Sequence, residues 1–504
     1  MSLAISHSSG VYTPRRSQET VLYGVLQEHL ETFIERAESD GRELPAFVKK
    51  ELRAFLECGV IELGFARLEC SGCRYNRLLP FSCKGRGFCP SCCGRRMSET
   101  AAHRVDGVFP AVPVRQWVLS LPFDLRARVA FDSELRRLVL RAFLRVVFAW
   151  LRRQGRAQGV REPRCGSVTF EQRFGSDLRL NLHFHVLVLD GVYSASSGEA
   201  VFHRVAAPSD EEQAELVAKV YRKVRRILER RGWVDEAEEW AARDQEVPLE
   251  LEFASASAAG RIAQGARRGL RVPRGERWSR AGVRPGQGRR PGRSGGFDLH
   301  AGVAVVAADR SGLERLCRYI SRPPIATDRL ELTAQGNVRY HFRRAWRNGV
   351  TSVEYQPLEF VGRLVPLIPR PRAHLIHFHG VLAARSKLRP LIVPPKEAEG
   401  SECGHGSLTC RLGQETGLRL PEPEIPDFPA RQASKRTWAQ LLARVFDVDG
   451  LKCPSCEDGR LRVVAFITRP HTVRTILEGM HLPTAIPRAA SARPPPQEEI
   501  DFFQ

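Results

Sequence analysis

Leu180–Leu189 reads LNLHFHVLVL, an apolar segment in which two histidines stand at alternate positions. Alternate residues of a β-strand point to the same face, which places His183 and His185 together, about 6.5–7 Å apart along the strand. Two neutral imidazoles at that spacing can bind one cation. The spacing alone equally allows two half-buried histidines that bond to neighbouring protein groups. A shorter segment with the same pattern, at His377 and His379, is less typical of a site.

The segments around this strand predict an α+β region. A turn at 175–177 joins the strand to a preceding one, and the further predicted strands are 114–121, 166–174, 301–307 and a hairpin at 338–343 and 350–355. Helices are predicted from Asp132 and Ser133 to about 153, from Ser209 and Asp210 to about 231, at 258–270, and at 311–320 with Ser311 as the cap.

The helix predicted at 311–320 carries Tyr319, a residue type that can attack phosphorus and form a covalent intermediate. Because the pKa of a free phenol is about 10, such a reaction needs a metal ion or arginines to polarise the phosphate. Arg315, Arg318 and Arg322 are close in sequence. A tyrosine in a helix more often has a packing role, so the tyrosine alone does not indicate chemistry.

Seven of the 13 cysteines lie between Cys58 and Cys93, in a stretch with few apolar residues. Two pairs with two-residue spacing, fifteen residues apart, fit a structural zinc site with four thiolate ligands. We predict that these ligands are Cys70, Cys73, Cys89 and Cys92. The alternative or additional ligands are Cys58, Cys83, Cys93 and His103. The basic residues around the second pair, which predict a DNA-contacting surface, are Lys84, Arg86, Arg95 and Arg96.

A third pair, Cys453-Pro-Ser-Cys456, lies in a small unit at 436–482 and is similar to half of a zinc ribbon. No second pair follows it in the sequence. The candidates to complete a metal shell are Cys403, His405 and Cys410, across a Pro-rich segment. The alternative is a turn without metal.

The net charge is strongly positive, because 78 Lys and Arg stand against 57 Asp and Glu, a formal charge of +21. Such an excess favours a polyanionic partner, and nucleic acid is the first candidate. A GC-rich genome that encodes many arginines is the alternative. No segment approaches the roughly 20 apolar residues of a membrane-spanning helix, and the first residues lack the pattern of a secretory signal. A Walker P-loop, a Rossmann glycine fingerprint and a nucleophile elbow are also absent from the sequence.

These residues resemble the zinc-binding, HUH-type rolling-circle transposases of the insertion-sequence-ninety-one group, and especially the branch called insertion sequences with common regions. The resemblance extends from about 20 to 390, with a weaker match at 436–482. Matching stretches include ELRAFLECGVIELGFARLEC, FSCKGRGFCPSC, LNLHFHVLVLDGVY and LERLCRYISRPPIA.

The resemblance implies an α+β fold with a central antiparallel sheet and helices of the HUH nuclease type. A helical, zinc-ribbon-like N-terminal module and a small C-terminal module would flank that sheet. It also implies a bacterial protein in the cytoplasm, associated with the nucleoid, with single-stranded DNA at transposon ends and targets as partner and no membrane partner.

The resemblance further implies roles for particular residues. His183 and His185 match the histidines that hold Mg²⁺ or Mn²⁺, and Tyr319 matches the nucleophile that forms a 5′-phosphotyrosine. Gln172 is the candidate third ligand, with Glu171 as the next candidate. The zinc module would recognise DNA ends.

One departure from the family pattern concerns a second tyrosine. Two-tyrosine members carry it four residues before the tyrosine matched here, and this chain has Arg315 at that position. A residue at that spacing lies on the same helix face, so Arg315 could contact phosphate but could not attack it. A second strand transfer would then use a second protomer or a 3′-OH.

Three alternative functions remain at this stage. A replication initiator would use the same HUH chemistry, a non-catalytic zinc-dependent DNA-binding protein would use none, and a zinc-dependent hydrolase would cleave without a covalent intermediate.

The expected domains are a disordered N-terminus at 1–19, a helical and zinc-binding DNA-recognition module at 20–111, an HUH catalytic domain at 112–390 with a basic linker at 271–296, a Pro-rich linker at 391–435, a small CxxC module at 436–482 and a disordered tail at 483–504.

Overall fold

The computed structural model describes residues 12, 15–39, 41, 43–196, 198–232, 249–259, 261–264, 267–272, 293–346, 349–393, 437–456 and 458–494. Most of the predicted basic linker and of the Pro-rich linker lies outside the described residues. The same holds for three proposed ligands, Cys403, His405 and Cys410.

The α-helices of the described residues are α1 Val21–Glu38, α2 Ala46–Leu56, α3 Pro90–Gly107, α4 Phe123–Phe131, α5 Ser133–Ala157, α6 Asp210–Glu229, α7 Leu249–Ala259, α8 Arg310–Ile320, α9 Pro357–Leu364, α10 Arg389–Ile392, α11 Trp438–Phe446 and α12 Pro470–Gly479. Short 3-10 helices are Ser17–Glu19, Ile61–Leu63, Thr327–Arg329 and Val365–Leu367.

The strands are β1 Phe65–Cys70, β2 Asn76–Pro80, β3 Val114–Ser120, β4 Gly166–Phe174, β5 Leu180–Leu189, β6 Gly191–Ser196, β7 Glu199–Arg204, β8 Arg293–Ser294, β9 Phe297–Val305, β10 Leu330–Leu332, β11 Val338–His341, β12 Ser352–Tyr355, β13 Ile376–Gly380 and β14 Leu461–Ile467. They form a six-stranded sheet in the order β13-β4-β5-β3-β9-β8, two three-stranded sheets, β14-β1-β2 and β10-β11-β12, and the hairpin β6-β7.

The six-stranded sheet is antiparallel throughout, and β5 lies inside it between β4 and β3. An inner strand covered by helices on both sides is apolar on both faces, which explains the nearly continuous apolar run of LNLHFHVLVL. This architecture confirms the predicted α+β fold class with a central antiparallel sheet.

The two faces of the sheet pack against different helices. Leu182, Phe184 and Val186 of β5 belong to the core that the sheet forms with α4, α5 and α6. The opposite face carries His183, His185 and Leu187, and Leu187 belongs to a core shared with α3 and α8. Alternation along a single strand therefore separates an apolar face from the face that carries the histidines.

The N-terminal helices pack on a separate core. Residues of α1 and α2 share it with α9, with the sheet β10-β11-β12 and with four buried residues of the Cys-rich segment, Cys58, Phe88, Cys89 and Cys92. This part of the Cys-rich segment therefore belongs to a large core rather than to an isolated module.

Three predicted element boundaries were wrong. The helix predicted at 258–270 lies earlier, at α7, because the glycines after Ala259 interrupt the apolar pattern. The strand predicted from Ala301 begins at Phe297. Helix α8 is capped by Asp309 rather than Ser311, because the Asp309 carboxylate accepts a hydrogen bond from the amide of Gly312 at 2.6 Å.

The C-terminal segment 483–494, which the sequence assigned to a disordered tail, lies instead along α1. The amide of Ala490 donates to the carbonyl of Gln27 at 2.8 Å, and the amide of Arg493 donates to the hydroxyl of Thr32 at 3.0 Å. Arg493 also forms an ion pair with Glu28 at 2.8 Å. Residues 495–504 lie outside the described residues.

Candidate functional site

The two histidines of β5 lie side by side on the face that packs against α3 and α8. Their rings meet edge to face with centroids 4.7 Å apart, and the exposed fractions of His183 and His185 are 9% and 6%. The Nδ1 of His183 lies 2.6 Å from the backbone carbonyl oxygen of Asn181. A carbonyl oxygen can only accept, so Nδ1 is the donor and carries the proton. This bond fixes the tautomer and leaves a lone pair on Nε2 of His183.

His185 has one partnered and one unpartnered ring nitrogen. Its Nδ1 lies 2.7 Å from the side-chain amide of Gln116 on β3, and its Nε2 is buried without a hydrogen-bond partner among the described residues. The oxygen and nitrogen of the Gln116 side-chain amide can exchange places by a rotation of the amide. With the oxygen accepting from Nδ1–H of His185, the Nε2 of His185 carries a lone pair. A buried nitrogen without a partner is costly unless a ligand satisfies it.

Both imidazoles are neutral at pH 7. Burial lowers the pKa of His183 to about 4, and the charges of Arg322 and Arg126 act in the same direction. Burial also lowers the pKa of His185 well below its usual value, with a smaller contribution from His183. The neutral form is the one that binds metal ions.

The strand register separates the two candidates for a third ligand. Gln172 is paired directly with His183 and lies on the same face, because paired residues of antiparallel strands share a face. Glu171 is paired with Phe184 and lies on the opposite face, where it contacts Arg136 at 3.1 Å and His377 at 2.9 Å. Glu171 is therefore excluded as a ligand beside His183, whereas Gln172 remains a candidate.

Helix α8 packs on the sheet through one apolar stripe. Leu313, Cys317 and Ile320 recur at helical spacing, are at most 3% exposed, and belong to the same core as Leu187 of β5. Tyr319 lies outside this stripe, and 47% of it is exposed. The sheet therefore buries one side of α8 and leaves the tyrosine accessible.

A hydrogen bond joins the end of α8 to the strand beside the histidines. The side-chain amide of Gln172 donates to the carbonyl of Ile320 at 2.9 Å. Since Gln172 is the partner of His183 in the sheet and Ile320 follows Tyr319, this bond ties the tyrosine segment to the histidine face.

The three arginines near Tyr319 have different environments. The guanidinium of Arg322 lies 4.6 Å from the ring centroid of Tyr319, and its charge contributes to the lowered pKa of His183. Arg318 instead donates to the carbonyl of Val445 in α11 at 3.5 Å, and Arg315 lies 3.7 Å from Asp309. Of the three arginines, Arg322 is the one that contacts Tyr319 and also acts electrostatically on His183 and His185.

The structure does not bring the four predicted zinc ligands, Cys70, Cys73, Cys89 and Cys92, together, because these cysteines belong to two separate clusters. We call the first cluster the inner thiol cluster; its members are Cys58, Cys83, Cys89 and Cys92. The sulfur of Cys92 lies 3.8 Å from that of Cys58 and 3.5 Å from that of Cys83. Two of its members, Cys58 and Cys83, are alternative ligands in the prediction from the sequence.

We call the second cluster the outer thiol cluster; its members are Cys70, Cys73, Cys453 and Cys456. Strand β14 pairs with β1, and this brings the C-terminal pair beside the knuckle at Cys70. Each of the three Cys-x2-Cys pairs can supply two zinc ligands. Their spacing therefore could not show which cysteines share one ion. In both clusters all four sulfurs lie within 4.8 Å of one another, as ligands of one zinc ion do.

The basic residues near the inner thiol cluster are only partly free. Arg86 is half-buried and donates to the carbonyl of Ala373, and burial lowers the pKa of its guanidinium. Arg96 donates to the carbonyl of Lys84 at 3.2 Å, and Arg95 lies 5.9 Å from the ring of Trp438. Lys84, Arg95 and Arg96 are exposed, whereas Arg86 is partly buried, and the DNA-contacting role predicted for the four residues remains a proposal.

The second His-x-His motif lies on the other face of the sheet. His377 and His379 are paired with Thr169 and Ser167 of β4, and the Nε2 of His379 lies 3.0 Å from the hydroxyl of Thr169. These histidines are thus separated from His183 by the thickness of the sheet.

Two family models match parts of the chain. Residues 166–389, which include the histidine strand and Tyr319, match a family model described as "Putative transposase". Residues 25–121, which include the inner thiol cluster, match a family model described as a transposase zinc-binding domain. No curated protein and no solved structure matches the chain. None of the described helices combines the length and the apolar composition that crossing a membrane requires.

Proposed function

Because the chain is a transposase of the insertion-sequence-ninety-one-like group with an N-terminal zinc-binding domain, we propose that it nicks and rejoins single-stranded DNA at transposon ends through a covalent link to Tyr319. The observation that carries this proposal is the attachment of α8 to the histidine face of the sheet. The hydrogen bond from Gln172, the cross-strand partner of His183, to Ile320 ties the residue that follows an exposed tyrosine to the strand beside two buried imidazoles.

The donor set at the histidines fits a divalent cation. We assign Nε2 of His183 and Nε2 of His185 as ligands, because the first is left free by the bond to Asn181 and the second is buried without a partner among the described residues. The amide oxygen of Gln172 is the third, since its nitrogen is engaged with Ile320. Bound Mg²⁺ or Mn²⁺ would polarise a phosphate oxygen and stabilise charge at phosphorus.

The chemical step is an exchange of phosphate esters. The phenolic oxygen of Tyr319 loses its proton and forms a bond to phosphorus, the bond between phosphorus and the 3′ oxygen breaks, and the released 3′ oxygen takes a proton, so that no net proton is exchanged. The products are a 5′-phosphotyrosine and a free 3′-OH. Attack by a 3′-OH on the phosphotyrosine reverses the exchange, so joining requires no nucleotide cofactor.

Arg322 is the basic residue placed to assist this step. Its guanidinium lies over the Tyr319 ring and donates to the Tyr319 carbonyl at 3.2 Å. A positive charge there favours both the developing phenolate and the incoming phosphate. Arg315 occupies the place of a second tyrosine, so one protomer offers a single nucleophile, and a second strand transfer would use another protomer or a 3′-OH.

The test is incubation of the purified full chain with labelled single-stranded oligonucleotides carrying the transposon ends and Mg²⁺ or Mn²⁺. Tyr319→Phe should abolish the covalent protein–DNA adduct, whereas Tyr221→Phe, a tyrosine of α6 outside the site, should retain it. His183→Ala with His185→Ala should abolish cleavage and keep much of the DNA binding.

Other outcomes identify the alternatives. An adduct that persists in Tyr319→Phe contradicts the nucleophile assignment. Salt-sensitive binding by the wild-type chain without any adduct indicates a non-catalytic DNA-binding protein. Cleavage without an adduct indicates a metal-dependent hydrolase. A replication initiator would form the same adduct but would act on an origin that is not a transposon end.

A further inference from the structure

The outer thiol cluster joins two parts of the chain that are far apart in sequence. The sulfur of Cys70 lies 3.6 Å from that of Cys456, and the sulfur of Cys73 lies 3.7 Å from that of Cys453. Tetrahedral zinc with Zn–S bonds of about 2.3 Å places its sulfurs about 3.8 Å apart, whereas a disulfide requires about 2.05 Å. The four sulfurs therefore have the spacing of a zinc site.

The surroundings of the cluster also suit thiolates. The amide of Gly72 donates to the sulfur of Cys70, and the amide of Ser455 donates to the sulfur of Cys453, each at 3.3 Å. Such bonds stabilise negative charge on metal-bound sulfur. A methyl group at Gly459 would overlap the sulfurs of Cys70 and Cys456, so this position requires the absence of a side chain.

Among the described residues, the apolar cores that join the C-terminal module to β1 are small. Apart from two cysteines, one core buries Ala66, Leu68 and Leu461, and the other buries Phe65, Val473 and Leu477. Phe466 of β14 is 71% exposed and Val463 is 52% exposed. A unit with so small a core normally needs a metal or a disulfide to be stable.

The C-terminal module, residues 437–482, also contacts the helix of Tyr319. Arg444 of α11 forms ion pairs with Glu314 of α8 at 2.6 Å and with Asp106 of α3 at 2.7 Å. Arg318 of α8 donates to the carbonyl of Val445. The module therefore bridges the outer thiol cluster at one end and α8 at the other.

We propose that Cys70, Cys73, Cys453 and Cys456 bind a second structural zinc ion, which clasps the C-terminal module to the N-terminal zinc-binding domain and holds α11 against α8. The metal site is independent of the proposed function. Only the consequence for the position of Tyr319 rests on that function.

The first test counts zinc in the purified full chain. The wild-type chain should contain two zinc ions and the variant Cys453→Ser with Cys456→Ser should contain one. Gly459→Ala keeps all four cysteines and should also lose one ion. Cys93→Ala, a buried cysteine outside both clusters, is the matched control and should keep two. A single zinc in the wild-type chain, or two in the double variant, overturns the proposal.

The second test measures the clasp itself by limited trypsin digestion of the full chain. The C-terminal module should be cut at least tenfold faster in the zinc-deficient variants than in the wild type. Unchanged protection in a variant that has lost one zinc overturns the clasp. Neither readout uses DNA, so both distinguish this proposal from a failure of the nuclease proposal, and Tyr319→Phe should keep two zinc ions and full protection.

A second feature, independent of the outer thiol cluster, lies on the sheet face opposite His183 and His185. A cavity of about 680 Å³ opens between α5 and the edge strand β13. Arginines of α5 line it at the spacing of successive helical turns, at Arg137, Arg141, Arg145 and Arg152. Residues four apart on a helix rise about 6 Å along its axis on one face, so these guanidiniums form a row.

The carboxylates of the described residues leave part of the positive charge of this cavity unpaired. Its two carboxylates are engaged, since Glu171 is paired with Arg136, and Glu134 is paired with Arg231 at 2.6 Å. Arg141, Arg145 and Arg152 have no carboxylate partner among the described residues. Three cations on one helix that have no carboxylate partner in the described part of the chain favour a ligand with several negative charges.

We infer that this row binds the sugar-phosphate backbone of single-stranded nucleic acid, at a place separate from the histidine face. The cavity is large and open, and a row of cations suits an extended polyanion better than a single phosphate. The backbone would run along α5 and contact successive arginines.

The test compares Arg141→Ala/Arg145→Ala/Arg152→Ala with a control of equal charge, Arg222→Ala/Arg226→Ala/Arg230→Ala, three exposed residues of the α6 end that do not line the cavity. Affinity for a thymidine oligonucleotide is measured against salt. Three lost phosphate contacts should reduce the logarithmic salt slope by about 2 in the first variant and much less in the control. Equal reductions in both variants overturn the inference, as does displacement of the oligonucleotide by low millimolar inorganic phosphate.

Discussion

At the scale of single residues, the chemistry of the candidate site depends on the groups that orient the two histidines, one backbone carbonyl and one side chain. Asn181 fixes the proton of His183 through its carbonyl, and Gln116 bonds the inner nitrogen of His185. Neither role can be recognised from the residue type, because each group acts through the tautomer of another side chain. Cross-strand position is the signal that identifies Gln116, and the strand pairing must be known before it can be used.

We therefore expect Gln116→Leu to weaken Mn²⁺ binding at the histidines by about 10- to 100-fold, since loss of a partner behind a metal-bound histidine has effects of that size. Calorimetric titration with Mn²⁺ measures this affinity. Gln213→Leu, at a buried glutamine of α6 away from the histidines, is the control and should leave it unchanged. An unaltered affinity in Gln116→Leu would show that Gln116 does not orient His185.

At the scale of elements, the register of β4, β5 and β3 decides which residues meet. The pairing of Gln172 with His183 and the bond from Gln172 to Ile320 place α8 on the histidine face. A buried ion pair fixes the same sheet at its other end. Arg115 of β3 makes two bonds of 2.8 Å with Asp190, which follows β5, and a third of 3.0 Å with the carbonyl of Ala301 in β9.

Asp190→Ala should lower the free energy of unfolding by about 3–5 kcal/mol, because it leaves the guanidinium of Arg115 buried without its carboxylate. Chemical denaturation measures this loss. Replacing both partners, Arg115→Met with Asp190→Leu, should recover most of the stability. Equal losses in the single and double variants would contradict the ion pair as the cause.

At the scale of the whole molecule, the two thiol clusters have different positions. The inner thiol cluster contributes Cys58, Cys89 and Cys92 to the core that joins α1, α2 and α9. The outer thiol cluster lies at a small interface near the C-terminus. Loss of the inner metal should therefore affect the entire N-terminal half, whereas loss of the outer metal should release only the C-terminal module.

Cys58→Ser should remove one zinc ion and destabilise the chain by several kcal/mol, since structural zinc binding contributes on the order of 10 kcal/mol. Thermal unfolding followed by circular dichroism, together with zinc analysis, measures both effects. The four-cysteine site predicted from spacing makes the opposite prediction, because Cys58 is not among its ligands. Retention of two zinc ions in Cys58→Ser would instead support the ligand set predicted from spacing, Cys70, Cys73, Cys89 and Cys92.

The sequence by itself determined the α+β class, most of the strands and helices, the histidine pair, the tyrosine helix and the presence of thiol ligands. These features depend on local periodicity and on residue chemistry, which are encoded in neighbouring residues. The tertiary structure alone decided which cysteines share a metal, which face Glu171 occupies, and that the C-terminal module contacts α8. Strand register and pairing between distant segments decide these points, because all three cysteine pairs have identical spacing and a one-residue shift in register moves a side chain to the other face of a sheet.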